Sequence, residues 1–162
     1  NGLQMVGAIG AMLLAFIALI AMVNGMLEAG GAWVGIEQLT LERVLGGLLQ
    51  PLAWALGIPW DEAQLAGSLI GQKFILNEFV AYVTYSEVAG QLSPHSQAIV
   101  IFSLCGFANL SSIAILLGGL GAVAPGRRDD ISRYGFRALI AASLSNLMSA
   151  ALAGFFLTLG AA

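Results

Sequence analysis

The chain has 162 residues, of which 59% are hydrophobic and 9% charged, and its formal net charge is −3. Soluble domains carry about 25% charged residues, so this chain has too little polar surface to cover a water-exposed globule. A mean hydropathy of +0.89 points to a bilayer as its solvent. The acidic balance gives no support to nucleic-acid binding, and a single cysteine, Cys105, excludes an intrachain disulfide framework or a thiolate metal cluster.

Residues 1–38 read as a scaffold transmembrane helix followed by an outer loop. The span itself, Asn1 to Leu27, is uncharged and apolar apart from Asn1, Gln4 and Asn24, and about 20 residues suffice to cross a hydrocarbon core as a helix. It lacks a starting Met, a basic n-region and a cleavage-site pattern, so it is not read as a secretory signal. The expectation is that the chain is the later part of something longer.

Residues 39–60 read as an interfacial helix. Thr40 is the expected N-cap with Glu42 in the first turn, and Leu45, Leu48, Leu49, Leu52 and Leu56 recur at helical spacing. Pro51, Pro59, Trp54 and Trp60 suit a bilayer surface; the alternative is a short irregular extramembrane loop.

Residues 61–91 are apolar yet interrupted by Lys73 and Glu78. One straight span would put both charges near mid-bilayer, each costing several kcal/mol if it faced lipid. Two half-length helices meeting at a tip near Gln72–Asn77 avoid that cost, since a backbone turn at membrane depth is tolerated inside protein or beside a water-filled cavity. A re-entrant hairpin is therefore expected, with Gly67 and Gly71 as a small-residue face that brings its two arms together.

Residues 92–126 read as a broken transmembrane helix. Around Cys105-Gly106-Phe107-Ala108-Asn109-Leu110-Ser111-Ser112 an apolar helix turns polar and acquires a glycine, then resumes at Ile113. Asn and Ser compete with backbone hydrogen bonding, and a break facing a cavity leaves groups of the kind that secondary transporters use for substrate and ion sites. The alternative is an unbroken helix whose Asn109 and Ser112 bond a neighbour. Ser93 and Pro94 suit the N-cap and first position of this helix, which places His95 at an exposed helix start. Cys105 reads as a small buried apolar residue.

Residues 127–137, with Arg127, Arg128, Arg133 and Arg137, read as a cytoplasmic loop by the positive-inside rule. The interfacial helix and the mouth of the hairpin then face outside. Residues 138–162 form the final span, with Asn146 inside it.

Among these residues Glu78 carries the sharpest expectation, because an intramembrane carboxylate needs a cation, donors or a substrate. It could instead pair with Lys73 and hold the hairpin shut, while Asn77 beside it could cap the second arm. An intramembrane hydrolase using Ser or Cys would need a base beside the nucleophile, and the three spans contain no Asp or Glu. No catalytic residue and no protein-bound metal are expected.

The run Gly71-Gln72-Lys73-Phe74-Ile75-Leu76-Asn77-Glu78-Phe79-Val80-Ala81-Tyr82 resembles the hairpin signature of the concentrative nucleoside transporters. Downstream, Leu104 to Ile113 looks like that family's broken-helix motif, and Gly118-Gly119-Leu120-Gly121 leads to Pro125 and Arg127-Arg128 as the family has it. The order and spacing match over essentially the whole chain.

This resemblance implies an all-α membrane protein with transmembrane helices, a re-entrant hairpin and a broken helix, corresponding to the C-terminal portion and second inverted repeat. It implies a nucleoside symporter driven by sodium or protons, a homotrimer in the bacterial inner membrane, with no tightly bound cofactor. The sodium ligands and the base-binding hairpin would come mostly from the missing N-terminal half. Matched by motif, Glu78, Asn109 and Ser112 would bind the ribose, with Phe107 as an apolar wall and Asn77 as a further substrate-adjacent residue. A structural or other-substrate membrane transport subunit is the alternative.

Overall fold

The computed structural model describes residues 2–110, 112–113 and 124–160, and among them all regular structure is helical. In chain order these are α1 (Gly2–Val34), α2 (Leu41–Ala55), α3 (Trp60–Ile75), α4 (Glu78–Val88), α5 (Pro94–Leu104) and α6 (Arg128–Gly160). Short 3-10 turns at Ala89–Gln91 and Pro125–Arg127 precede α5 and α6. Ser111 and the Gly118–Gly121 motif lie outside the described residues.

Helix α1 runs past the expected end at Leu27 and has 33 residues, about 50 Å at 1.5 Å per residue. It stops where Gly35 adopts φ +75, the left-handed conformation that closes a helix C-terminus. Asn24 ties it to α2: its amide donates to Glu42 (3.1 Å) and its Oδ1 accepts from the Leu41 N–H (2.7 Å). Thr40 caps α2 as its sequence position demands, with its hydroxyl accepting from the Arg43 N–H.

Helices α2 and α3 form the tightest pairing, and glycines make it. A Cβ on Gly46 would fall 2.7 Å from the Gln64 carbonyl oxygen, one on Gly67 2.9 Å from the Leu49 backbone, and one on Gly71 2.8 Å from Leu45 Cβ. The small face of α3 therefore docks α2 rather than bringing the hairpin arms together, which corrects the expectation for Gly67 and Gly71. The arms are joined instead by a buried amide: Gln72 donates to Ser68 Oγ (3.3 Å) and accepts from the Thr84 hydroxyl (2.9 Å).

The hairpin turns at Leu76–Asn77, inside the expected tip. Glu62, in the first turn of α3, accepts from both the N–H and the hydroxyl of Ser93 (3.1 and 3.0 Å), which fixes the start of α5 against the hairpin. Ser93 caps α5 and Pro94 occupies its first turn. His95 is half-buried rather than exposed, because it lies against Gly57 and Gly154. Ala53, Leu56, Ile58, Leu69, Ile70, Ile99, Leu104, Leu147 and Ala150 make one core across α2, α3, α5 and α6.

The expected Arg loop is helical from Arg128 onward, so α6 begins well before Ala138. Asp129 and Asp130 sit in its first turn, where the helix dipole favours anions, and Arg127 Nε pairs with Asp130 at 2.7 Å. Within α6, Ser132–Gly160 is long and apolar enough to cross a membrane.

The glycine seam is testable by adding one methyl group. Gly67→Ala should lower the thermal midpoint of the purified full-length protein, since overpacking costs about 1–3 kcal/mol. Gly90→Ala, where a Cβ meets nothing within 4 Å, serves as the control. Equal midpoints for the two variants would contradict the seam.

Candidate functional site

Two interruptions of helical backbone meet here, the tip of the hairpin and the break after α5. At the tip, Asn77 is extended (φ −169, ψ 169) and its Oδ1 accepts from the Val80 N–H at 2.9 Å, capping α4. Glu78 is thus the first residue of α4, half-buried.

Helix α5 ends at Leu104, and residues 105–109 are non-helical before helical backbone returns at Leu110. This is the break expected from the Cys105–Ser112 run. Asn109, only 4% exposed, points from it into the hairpin. Its amide donates to Glu78 Oε2 at 3.1 Å and to the Phe107 carbonyl at 3.2 Å. Its Oδ1 accepts from the Ser112 N–H at 2.9 Å. The Ser112 hydroxyl donates to the Phe107 carbonyl at 2.7 Å and accepts from the Asn109 N–H at 3.2 Å. Glu78, Asn109 and Ser112, 31 and 34 positions apart from the glutamate in sequence, become one hydrogen-bonded unit.

Chemically the unit is an acceptor surface with adaptable donors. A carboxylate accepts only, an amide offers both, and a hydroxyl plays either part. Phe107 presents a ring that is 76% exposed beside this unit, while its carbonyl belongs to the network.

Lys73 does not close the hairpin on Glu78. Its side chain is 0% exposed, its Nζ has no hydrogen-bond partner among the described residues, and the ammonium lies 4.6 Å from the Phe74 ring centroid. Among the described residues no ion pair within 4.0 Å joins it to Glu78, whose carboxylate accepts from Asn109 instead.

Cys105 is exposed rather than buried, because it occupies the C-cap of α5 at the break. Its Sγ lies 3.2 Å from the Tyr82 hydroxyl, which also donates to the Ile101 carbonyl at 3.0 Å. Tyr82 and Gln72 were not singled out by sequence reasoning, although a tyrosine one helical turn beyond an intramembrane carboxylate is a usable signal for a polar crevice. A cavity of about 340 Å³ between Leu52, Phe74, Leu110, Phe136 and Leu147 is almost wholly apolar. Of its lining residues only Ser143 carries a polar side chain, too little to orient a polyhydroxylated ligand.

A family described as "Na+ dependent nucleoside transporter C-terminus" matches residues 1–154. The chain belongs to that family. It is 53% identical to the uncharacterized transporter YutK of Bacillus subtilis (strain 168), covering 97% of this chain and 39% of YutK. It is 48% identical to the nucleoside permease NupC of Helicobacter pylori, covering 99% and 40%. The structure of CNTnw in an inward-facing substrate-bound state is similar at 56% identity and a TM-score of 0.90, over 98% of this chain and 40% of that one. The chain therefore spans about two-fifths of the length of these relatives. As in this transporter family, the fold is that of an all-α membrane protein with transmembrane helices, a re-entrant hairpin (α3–α4) and a broken helix (from α5).

The cap geometry separates two roles for Asn77 in the full-length transporter. Asn77→Ala should cost about 1 kcal/mol of stability and lower the thermal midpoint, while Asn77→Ser keeps the cap, the midpoint and uptake. Lost uptake with an unchanged midpoint in Asn77→Ser would assign the residue to substrate instead.

Proposed function

We propose that this chain supplies the ribose-binding half of an ion-coupled nucleoside symporter. The observation that carries the reading is the Asn109-to-Glu78 hydrogen bond, with Ser112 locked to the same asparagine. Vicinal hydroxyls of a ribose can donate to a carboxylate in a charge-assisted arrangement, exchanging with the Asn109 amide on Glu78. Asn109, through the N–H released from Glu78, and Ser112, through the remaining lone pair of its hydroxyl, then complete the recognition. Phe107 forms an apolar wall beside the sugar, and Asn77 shapes the tip without touching it.

The family description and the name of the Helicobacter relative support nucleoside as the class of substrate, and the former supports sodium as the coupling ion. In this reading the other part of the transporter supplies base recognition and most sodium ligands. The assembly is a homotrimer in the bacterial inner membrane. No covalent chemistry is involved. Substrate sits near the bilayer midplane between repeats, and the hairpin and broken helix move against a fixed scaffold to expose it alternately.

A site built to hydrogen-bond hydroxyls rejects analogues lacking them, because its own polar groups are left unpaired. In the full-length transporter Glu78→Gln should reduce uridine uptake by about 100-fold or more at an unchanged level of protein in the membrane. Wild-type protein should discriminate strongly against 2′- and 3′-deoxyuridine. Uptake at the wild-type rate by Glu78→Gln would retire the ribose assignment.

A further inference from the structure

The break after α5 leaves backbone carbonyls that a continuing helix would have satisfied, and inside a membrane each needs a donor from protein. Ser103 is buried, and its carbonyl accepts from the side-chain amide of Asn146, midway along α6. The same side chain fills the space beside Gly106, where a Cβ would fall 2.7 Å from Asn146 Cγ and 2.8 Å from its Oδ1. Asn146 therefore grips the break at two points, before and within its non-helical stretch. Directly beyond Gly106 is Phe107, whose carbonyl receives both the Asn109 amide and the Ser112 hydroxyl. Fixing Ser103 and Gly106 fixes that carbonyl, and the carbonyl sets the orientation of the two side chains that meet Glu78.

We propose that Asn146 is a positioning residue of the ribose site: from a helix that contributes no group to the site, it holds the helix break so that Asn109 and Ser112 present their polar atoms to substrate. The inference rests on the ribose reading of Glu78, Asn109 and Ser112. Leu147 and Ala150 are buried on the same side of α6 against α5, so the helix stays docked when the amide is removed. The loss falls on the break.

The test uses the full-length transporter in membranes, with kinetics normalised to transporter protein. Uridine KM and the ratio of 3′-deoxyuridine Ki to uridine KM are measured for wild type, Asn146→Ala, Gly106→Ala and the double variant. Each single variant should raise uridine KM about tenfold and shrink the deoxy penalty several-fold, because unpositioned groups no longer read the hydroxyls. Both lesions break one contact, so the double variant should be no more than about twofold worse than the poorer single one. A KM and a deoxy ratio within twofold of wild type in Asn146→Ala would overturn the proposal. So would the loss of both single variants from the membrane, which would make the contact a folding device alone. Wild-type protein that takes 3′-deoxyuridine as readily as uridine would overturn the ribose reading, and this inference with it.

Discussion

A backbone interrupted inside hydrocarbon persists only if protein side chains take over the hydrogen bonds that the helix gives up. That constraint organises this chain. The hairpin turn is closed by Asn77 on the Val80 amide, and its arms are tied by Gln72 to Thr84. The end of α5 is closed from two sides, by Tyr82 on Ile101 and by Asn146 on Ser103. Between the two interruptions stands the Asn109–Glu78 contact at 3.1 Å. A charged hydrogen bond of this kind is worth about 1.5–3 kcal/mol, enough to hold the carboxylate in place yet small enough for a ligand's hydroxyls to replace.

The division of labour follows from residue chemistry. The α2–α3 seam is built from glycines that leave no room for a Cβ, so the pair is closely packed. The polar side chains at the tip and break belong instead to short, exchangeable contacts. In the proposed function this pairing of a stiff platform with an adaptable polar rim lets one site be offered to either side of the membrane.

Much of this was legible in the sequence because polar residues in an apolar run have few reasons to exist. Thr40, Ser93 and Pro94 announced helix starts by capping chemistry, and Lys73 with Glu78 announced a turn at depth through the cost of charge in lipid. Glu78, Asn109 and Ser112 were named from motif, and the fold joins them. What failed was partner choice. Spacing shows that Gly67 and Gly71 share a face, but not which neighbour that face meets, and α2 took it. Charge alone reads the Arg-rich stretch as a loop, whereas Asp129 and Asp130 in its first turn make it a good helix start. Residue type alone reads Cys105 as buried, yet a C-cap position at a break exposes it. Asn146 was visible as a lone amide in an apolar span, but its partner 43 residues earlier is a backbone carbonyl, which no side-chain pattern records.

The central claim is that Glu78 occupies a water-accessible polar crevice where a sugar can reach it. The most direct measurement is thiol labelling of Glu78→Cys in full-length transporter whose Cys105 and other thiols have been replaced by serine. A membrane-impermeant cationic methanethiosulfonate should react readily at that position. Labelling only by a lipid-soluble maleimide would place position 78 against acyl chains and contradict the account.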